Sequence, residues 1–300
     1  VASKLFHRLG QALWQESDTP ALDLLQAQGV EVAEVGLAWV ELLADSVEAR
    51  SNVRGHSQVR VAGGGDGPVF EVAGAGGARP DRLAGHSLGE YTALTCAGVI
   101  TLGDAVRLVR RRGELMQAAV ADGEGRMAAI LGLDVQTIQE IARETGTYVS
   151  NGNTSEQIVI SGERMAVASA LDLASARGAK KVIPLHVAGA FHSGLMEPAK
   201  AGLVEAINQL NFRDPEIPIV ANCTGEPLTT ADSVKQELIS QISACVQWKR
   251  SIDYMVGSGV SSFIEVGPGK VLSGMVKRID RSASAVSVGN IEAILNLRKN

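Results

Sequence analysis

The segment Leu83-Ala84-Gly85-His86-Ser87-Leu88-Gly89 leaves the chain little conformational choice. It is a short apolar run, then a serine between two glycines, then the Ala-rich run LGEYTALTCAGV. That order predicts a buried strand, a sharp turn and a helix with Glu90 in its first turn. The G-x-S-x-G spacing places Ser87 on the turn, where neighbouring side chains have to be absent; Gly85 and Gly89 meet that demand. The helix then aims its free N–H groups at the serine, and the Leu88 N–H is the first in place to stabilise an oxyanion. A turn serine without chemistry fits the same pattern, but the strand–turn–helix setting favours a nucleophile.

Downstream, the pattern of residues 101–121 predicts an amphipathic helix capped by Thr101 or Asp104. Residues 126–188 read as strand, helix, strand, strand, helix, strand, with Asp134 capping the first helix. That is the β-α-β-β-α-β order of a ferredoxin-like unit. Strands follow at 217–225 and 261–266, with helices at 234–246 and from 270 to 279. The expected fold is therefore α/β: a large domain, residues 1–124 and 189–300, carrying a ferredoxin-like small domain at 125–188. Residues 1–80 are poorly patterned, with helical periodicity near 3–15 and 34–49, a glycine-rich stretch at 60–80 and a short strand pattern at Val69–Val72.

A serine nucleophile needs a base. Of the five histidines, His7 and His56 lie in the unpatterned region, and His186 falls in a strand pattern. The backbone direction turns His86 away from its neighbour Ser87. His192, in the loop that leaves the small domain, is the expected base. No acidic residue stands out to orient it; a backbone carbonyl meets the same need. On the 104–119 helix, Arg112 lies within the stripe formed by Ala105, Leu108, Val109, Leu115, Met116 and Ala119. An inward guanidinium requires a partner. Either an internal ion pair or a stem reaching to water satisfies it, or Arg112 clamps a substrate carboxylate.

Composition narrows the partners. The formal charge of −5 argues against nucleic acid. Cys96, Cys223 and Cys245 form no CxxC pair, so neither a zinc site nor a disulfide framework is expected, and a reducing cytoplasmic setting fits. No apolar run reaches the roughly 18 residues of a membrane span, and no secretory segment is read at the start. Residues 265–270, EVGPGK, lack the phosphate-loop pattern and read as a strand–turn–helix joint, with Lys270 near an anionic ligand as the alternative.

Five motifs in order, AGHSLGEYTAL, AVRLVRRRGELMQ, GAFHSGLM, VQW and FIEVGPGKVLSGMVKRI, resemble the malonyl-CoA:acyl carrier protein transacylases of bacterial fatty acid synthesis. The resemblance covers about residues 77–279 and implies that the large domain is hydrolase-like with a parallel sheet and that the small one is a ferredoxin-like insertion. It implies that Ser87 takes a malonyl group from malonyl-CoA and passes it to the phosphopantetheine thiol of acyl carrier protein. It implies His192 as base, with the main-chain carbonyl of Gln247 orienting it, and Leu88 as oxyanion donor. Arg112, Phe191 and His86 form the implied substrate-binding set, with Phe191 leaving little room for an α-methyl group. No metal or cofactor is implied, and the protein is expected to act as a monomer. The family's Gly-Gln-Gly-Ser-Gln loop, which supplies a second oxyanion N–H, has no counterpart, since Gly55-His56-Ser57-Gln58 is a poor match. A serine hydrolase or thioesterase is the alternative enzyme, and a non-catalytic acyl-CoA-binding module on the same fold is a third reading.

Overall fold

A computed structural model describes residues 59–62, 80–120, 125–187, 189–267 and 269–289. The helical patterns near 3–15 and 34–49, the Val69–Val72 strand and residues 55–58 lie outside the described residues. In chain order the elements are β1 (Val59–Ala62), β2 (Arg82–Gly85), α1 (Leu88–Cys96), α2 (Leu102–Ala119), β3 (Gly125–Leu131), α3 (Val135–Thr145), β4 (Tyr148–Thr154), β5 (Gln157–Glu163), α4 (Arg164–Ala176) and β6 (Lys181–Leu185). There follow a 3-10 turn (Gly194–Met196), α5 (Glu197–Asn208), β7 (Ile219–Val220), β8 (Pro227–Leu228), α6 (Ala231–Gln241), α7 (Trp248–Gly257), β9 (Ser262–Val266), α8 (Val271–Ile279) and β10 (Ser284–Val288).

Six strands form one sheet in the order β10-β9-β1-β2-β7-β8. The expectation of a parallel sheet is corrected: β9/β10 and β2/β7 are parallel, but β1 runs antiparallel to both β2 and β9, and β8 runs antiparallel to β7. The register pairs Ala62 with Arg82, so the chain leaves β1 at the end where it enters β2. An antiparallel return needs no crossover helix, whereas a parallel one does. Leu83 and Ala84 are fully buried, as an interior strand requires.

Helix α1 is buried at every position from Leu88 to Leu94. It touches the sheet at close quarters because Gly85 and Gly89 carry no side chains; a Cβ on Gly85 would lie 1.9 Å from the Gly89 carbonyl carbon. Helix α2 starts where the sequence says, with the Thr101 side chain accepting from the Asp104 N–H. Its inward stripe is also as read: Ala105, Leu108, Val109, Arg112 and Met116 are buried, and Leu115 and Ala119 pack at its edge.

The other four strands form an antiparallel sheet, β4-β5-β3-β6. The two faces of β3 alternate. Ala128 and Ile130 join Ile138, Ile141, Ile158, Ile160 and Val167 beneath α3 and α4, while Met127 and Ala129 face Val187 and Phe191. Asp134 caps α3 by accepting from the Thr137 N–H, and Gly146 ends it in the left-handed region at φ 71°. The β4 edge is covered by the segment before α7: the Val246 N–H donates to the Ser150 carbonyl and the Gly152 N–H to the Val246 carbonyl, at 2.8 and 2.9 Å.

Helices α5 and α7 and strand β10 go beyond the sequence reading. The strand expected over 217–225 shortens to Ile219–Val220, because the chain turns at once into β8, with the Gly225 N–H closing on the Ala221 carbonyl at 3.0 Å. That turn presents Asn222 to the Ser87 elbow. Among the described residues no helix is long and apolar enough to cross a membrane.

Candidate active site

Ser87 sits between β2 and α1 at φ 52°, ψ −103°, and His192 sits in the loop before α5 at φ 56°. Among the described residues they are the two non-glycine residues with positive φ. Each such conformation costs roughly 1–3 kcal/mol and persists only where the surroundings enforce it. Ser87 Oγ lies 2.7 Å from His192 Nε2, and His192 Nδ1 lies 2.8 Å from the Gln241 carbonyl oxygen. A carbonyl can only accept, so Nδ1 carries the proton and Nε2 is free to accept from the serine hydroxyl. Burial, followed by the nearby Arg112 charge, lowers the His192 pKa from its ordinary 6.5 to about 3. The imidazole is therefore a neutral base at pH 7.

The orienting carbonyl belongs to Gln241, and the assignment of Gln247 is corrected. The Gln247 carbonyl accepts from the Ser251 N–H and hydroxyl within the first turn of α7. Gln241 is the last residue of α6, where helix carbonyls have no intrahelical donor and are available to others. Reading α6 as running on to residue 246 concealed that end.

Arg112 is 2% exposed. Its Nη2 donates to Ser87 Oγ and to Gln241 Oε1, both at 3.0 Å, and its guanidinium lies over the Tyr91 ring at 5.3 Å. Among the described residues no carboxylate forms an ion pair with it, and its Nε has no hydrogen-bond partner. Neither an internal ion pair there nor a stem reaching to water accounts for this cation.

The elbow backbone is tied down by side chains from afar. The Ser87 N–H donates to Asn222 Oδ1 at 2.7 Å, and Gln241 Nε2 donates to the Ser87 carbonyl at 2.8 Å. The Gly89 and Glu90 N–H groups donate to the His86 and Ser87 carbonyls. Among the described residues the Leu88 N–H has no acceptor, as an oxyanion donor should be left.

His86 turns away from the dyad. Its Nε2 lies 2.9 Å from Asn153 Oδ1 on β4, and its ring lies 5.5 Å from that of Trp248. It thus links the elbow to the four-stranded sheet. Phe191 is half-buried beside His192, wedged against Gly189, where an added Cβ would lie 2.7 Å from its ring. Asn222, Gln241 and the fully buried Glu90 are site residues that the sequence reading passed over. The one available signal was Glu90 itself, the lone charged residue of its helix.

A neutral histidine hydrogen-bonded to a strained serine, a helix N-terminus beside it and a buried cation without a carboxylate partner among the described residues together suit acyl transfer from a donor that carries a negative charge. Comparison with known proteins agrees with that chemistry. The acyl transferase domain family matches residues 10–297, well beyond the five motifs. The malonyl CoA-acyl carrier protein transacylase of Bacillus subtilis (strain 168) is 43% identical over 231 residues, covering 75% of this chain and 73% of the relative. An acyl carrier protein S-malonyltransferase structure from Vibrio cholerae superposes with a TM-score of 0.78 at 33% identity, covering 98% of this chain and 90% of that one. A solved type II PKS acyl-carrier protein in complex with its malonyl-transacylase matches with a TM-score of 0.76 at 33% identity, covering 92% and 88%. On these matches, the chain belongs to the malonyl CoA-acyl carrier protein transacylase family of acyl transferases.

Proposed function

We propose that this enzyme moves a malonyl group from malonyl-CoA to the phosphopantetheine thiol of acyl carrier protein through a malonyl-Ser87 intermediate. One observation carries the substrate: the Arg112 guanidinium, buried and without a carboxylate among the described residues, lies 3.0 Å from the nucleophile. It is placed to pair with the free carboxylate of the bound acyl group.

In acylation, His192 Nε2 takes the Ser87 proton as Oγ attacks the thioester carbon. The oxyanion rests on the Leu88 N–H. The intermediate collapses with loss of the CoA thiolate, which takes the proton from His192. In the second half, His192 deprotonates the carrier thiol, the thiolate attacks the malonyl ester, and the returning proton restores the Ser87 hydroxyl. The Gln241 carbonyl holds the imidazole tautomer throughout. Phe191, beside the base, limits the room for an α-methyl group.

We read the six-stranded region with its helices as a hydrolase-like catalytic domain, residues 1–124 and 189–300, and the antiparallel four-stranded region at 125–188 as a ferredoxin-like insertion. The strand order β4-β5-β3-β6 supports the latter. The protein acts as a monomer in the cytoplasm; its three free thiols fit a reducing compartment.

The test is incubation with labelled malonyl-CoA, followed by mapping of the label and addition of acyl carrier protein. The expected result is label on the Ser87 peptide, discharged by the carrier. Label that persists in Ser87→Ala overturns the reading, and rapid loss of label to water without carrier replaces it with hydrolysis.

A further inference from the structure

Behind the dyad lies a carboxylate that the transfer chemistry does not use. Glu90 is 0% exposed, and both of its oxygens face donors. Oε1 accepts from the Asn222 N–H at 2.9 Å and from Asn222 Nδ2 at 3.0 Å; Oε2 accepts from Gln241 Nε2 at 2.8 Å. Backbone groups fix the orientation of both amides. Asn222 Oδ1 takes the Ser87 N–H, while its Nδ2 also donates to the Gly85 carbonyl. Gln241 Nε2 also donates to the Ser87 carbonyl, while its Oε1 takes Arg112. One carboxylate thus anchors the two side chains that grip the Ser87 backbone from either side, and one of the two is the residue whose carbonyl holds His192.

We propose that Glu90 is a positioning residue for acyl transfer: as an acceptor at both oxygens it fixes Asn222 and Gln241, and through them the strained Ser87 backbone, the His192 tautomer and the Arg112 guanidinium. The inference rests on the acylation of Ser87 proposed above. Glutamine is nearly isosteric with glutamate but is a poor replacement. Its NH2 would meet either the Asn222 donors or Gln241 Nε2. If Gln241 rotates to offer its oxygen instead, the bonds to the Ser87 carbonyl and to Arg112 are both lost.

The titratable groups around Glu90 are Glu237 from α6, Tyr91 on its own helix and Cys223 in the β7–β8 turn, and the charged Arg112 of α2 reaches it through Gln241. Glu237, 6% exposed, accepts from the Cys223 N–H. Burial and then the Glu237 charge raise the Glu90 pKa. Protonation of Glu90 on acidification removes an acceptor that Asn222 and Gln241 need, so loss of the Glu237 charge is expected to move the acid limb of acylation.

The experiment measures single-turnover acylation of the whole protein by malonyl-CoA against concentration and pH. Glu90→Gln is expected to lower the maximal rate about 10- to 100-fold while half-saturation stays within about threefold. Glu237→Gln removes the like charge and is expected to move the acid limb of kcat/KM to lower pH. A folded E90Q protein acylating within about twofold of wild type overturns the proposal. If E90Q does not fold, E237Q decides: a shifted limb supports Glu90, and an unshifted one overturns it. Failure of the wild type to acquire label would instead refute the transfer reading and is distinguishable on that ground.

Discussion

The two sheets of this molecule obey different rules. In the four-stranded region, local preference and tertiary structure agree: Asp134 caps α3, Gly146 ends it, and β3 alternates between two apolar faces. In the six-stranded region the rules are broken around one point. Two non-glycine residues adopt positive φ, and Arg112, Glu90 and His192 are buried together. Strain and desolvated charge are sustained there because hydrogen bonds from Asn222, Gln241 and Glu90 hold the Ser87 backbone and the groups around it. The contrast separates a scaffold built for stability from a site that spends stability on preorganisation.

Substitutions should therefore divide by region. The largest effect is expected at Arg112. Arg112→Ala should lower malonyl transfer on the order of 10²–10³-fold, with acetyl-CoA, which lacks the carboxylate, far less affected; equal losses for both donors would show that the cation serves structure alone. Next, Ile158→Ala in the four-stranded core should cost about 2–5 kcal/mol by denaturant unfolding, with activity per folded molecule retained. A large loss of activity without loss of stability would break the division between scaffold and site.

A smaller effect concerns pH. The native His192 stays neutral down to about pH 3, whereas the unfolded one takes up a proton near 6.5. Between those values the unfolded state holds the extra proton, so stability falls as pH drops, by up to about 1.4 kcal/mol per pH unit. His192→Gln should flatten that slope in urea titrations at several pH values. The smallest expected effect is on selectivity. Phe191→Ala should raise methylmalonyl transfer relative to malonyl by about tenfold or more in competition assays. An unchanged ratio would remove Phe191 from the selectivity account.

Much of this was legible in the chain. Gly85 and Gly89 specify the elbow around Ser87 because a Cβ on Gly85 would run into the Gly89 backbone, and the α2 stripe exposed Arg112 as an inward charge. The β-α-β-β-α-β order was readable because apolar runs mark its strands, and Asp134 and Gly146 mark the two ends of α3. The reading failed where an interaction depended on where an element stops. Gln241 rather than Gln247 orients His192 because α6 ends at that residue and frees its carbonyl, whereas Gln247 opens the next helix. Strand β1 carries no mark of direction, and its antiparallel pairing follows from which end of β2 it meets.

The sequence by itself singled out Ser87, His192 and Arg112 as candidates, since each stands out in a local pattern of glycines, loops or helical period. Only the tertiary structure decided what holds them. Asn222, Gln241 and Glu90 lie up to 154 residues from their partners. Their hydrogen bonds exist only once β7, α6 and α1 have packed around the same turn, because no local pattern encodes a contact that the fold alone brings within 3 Å.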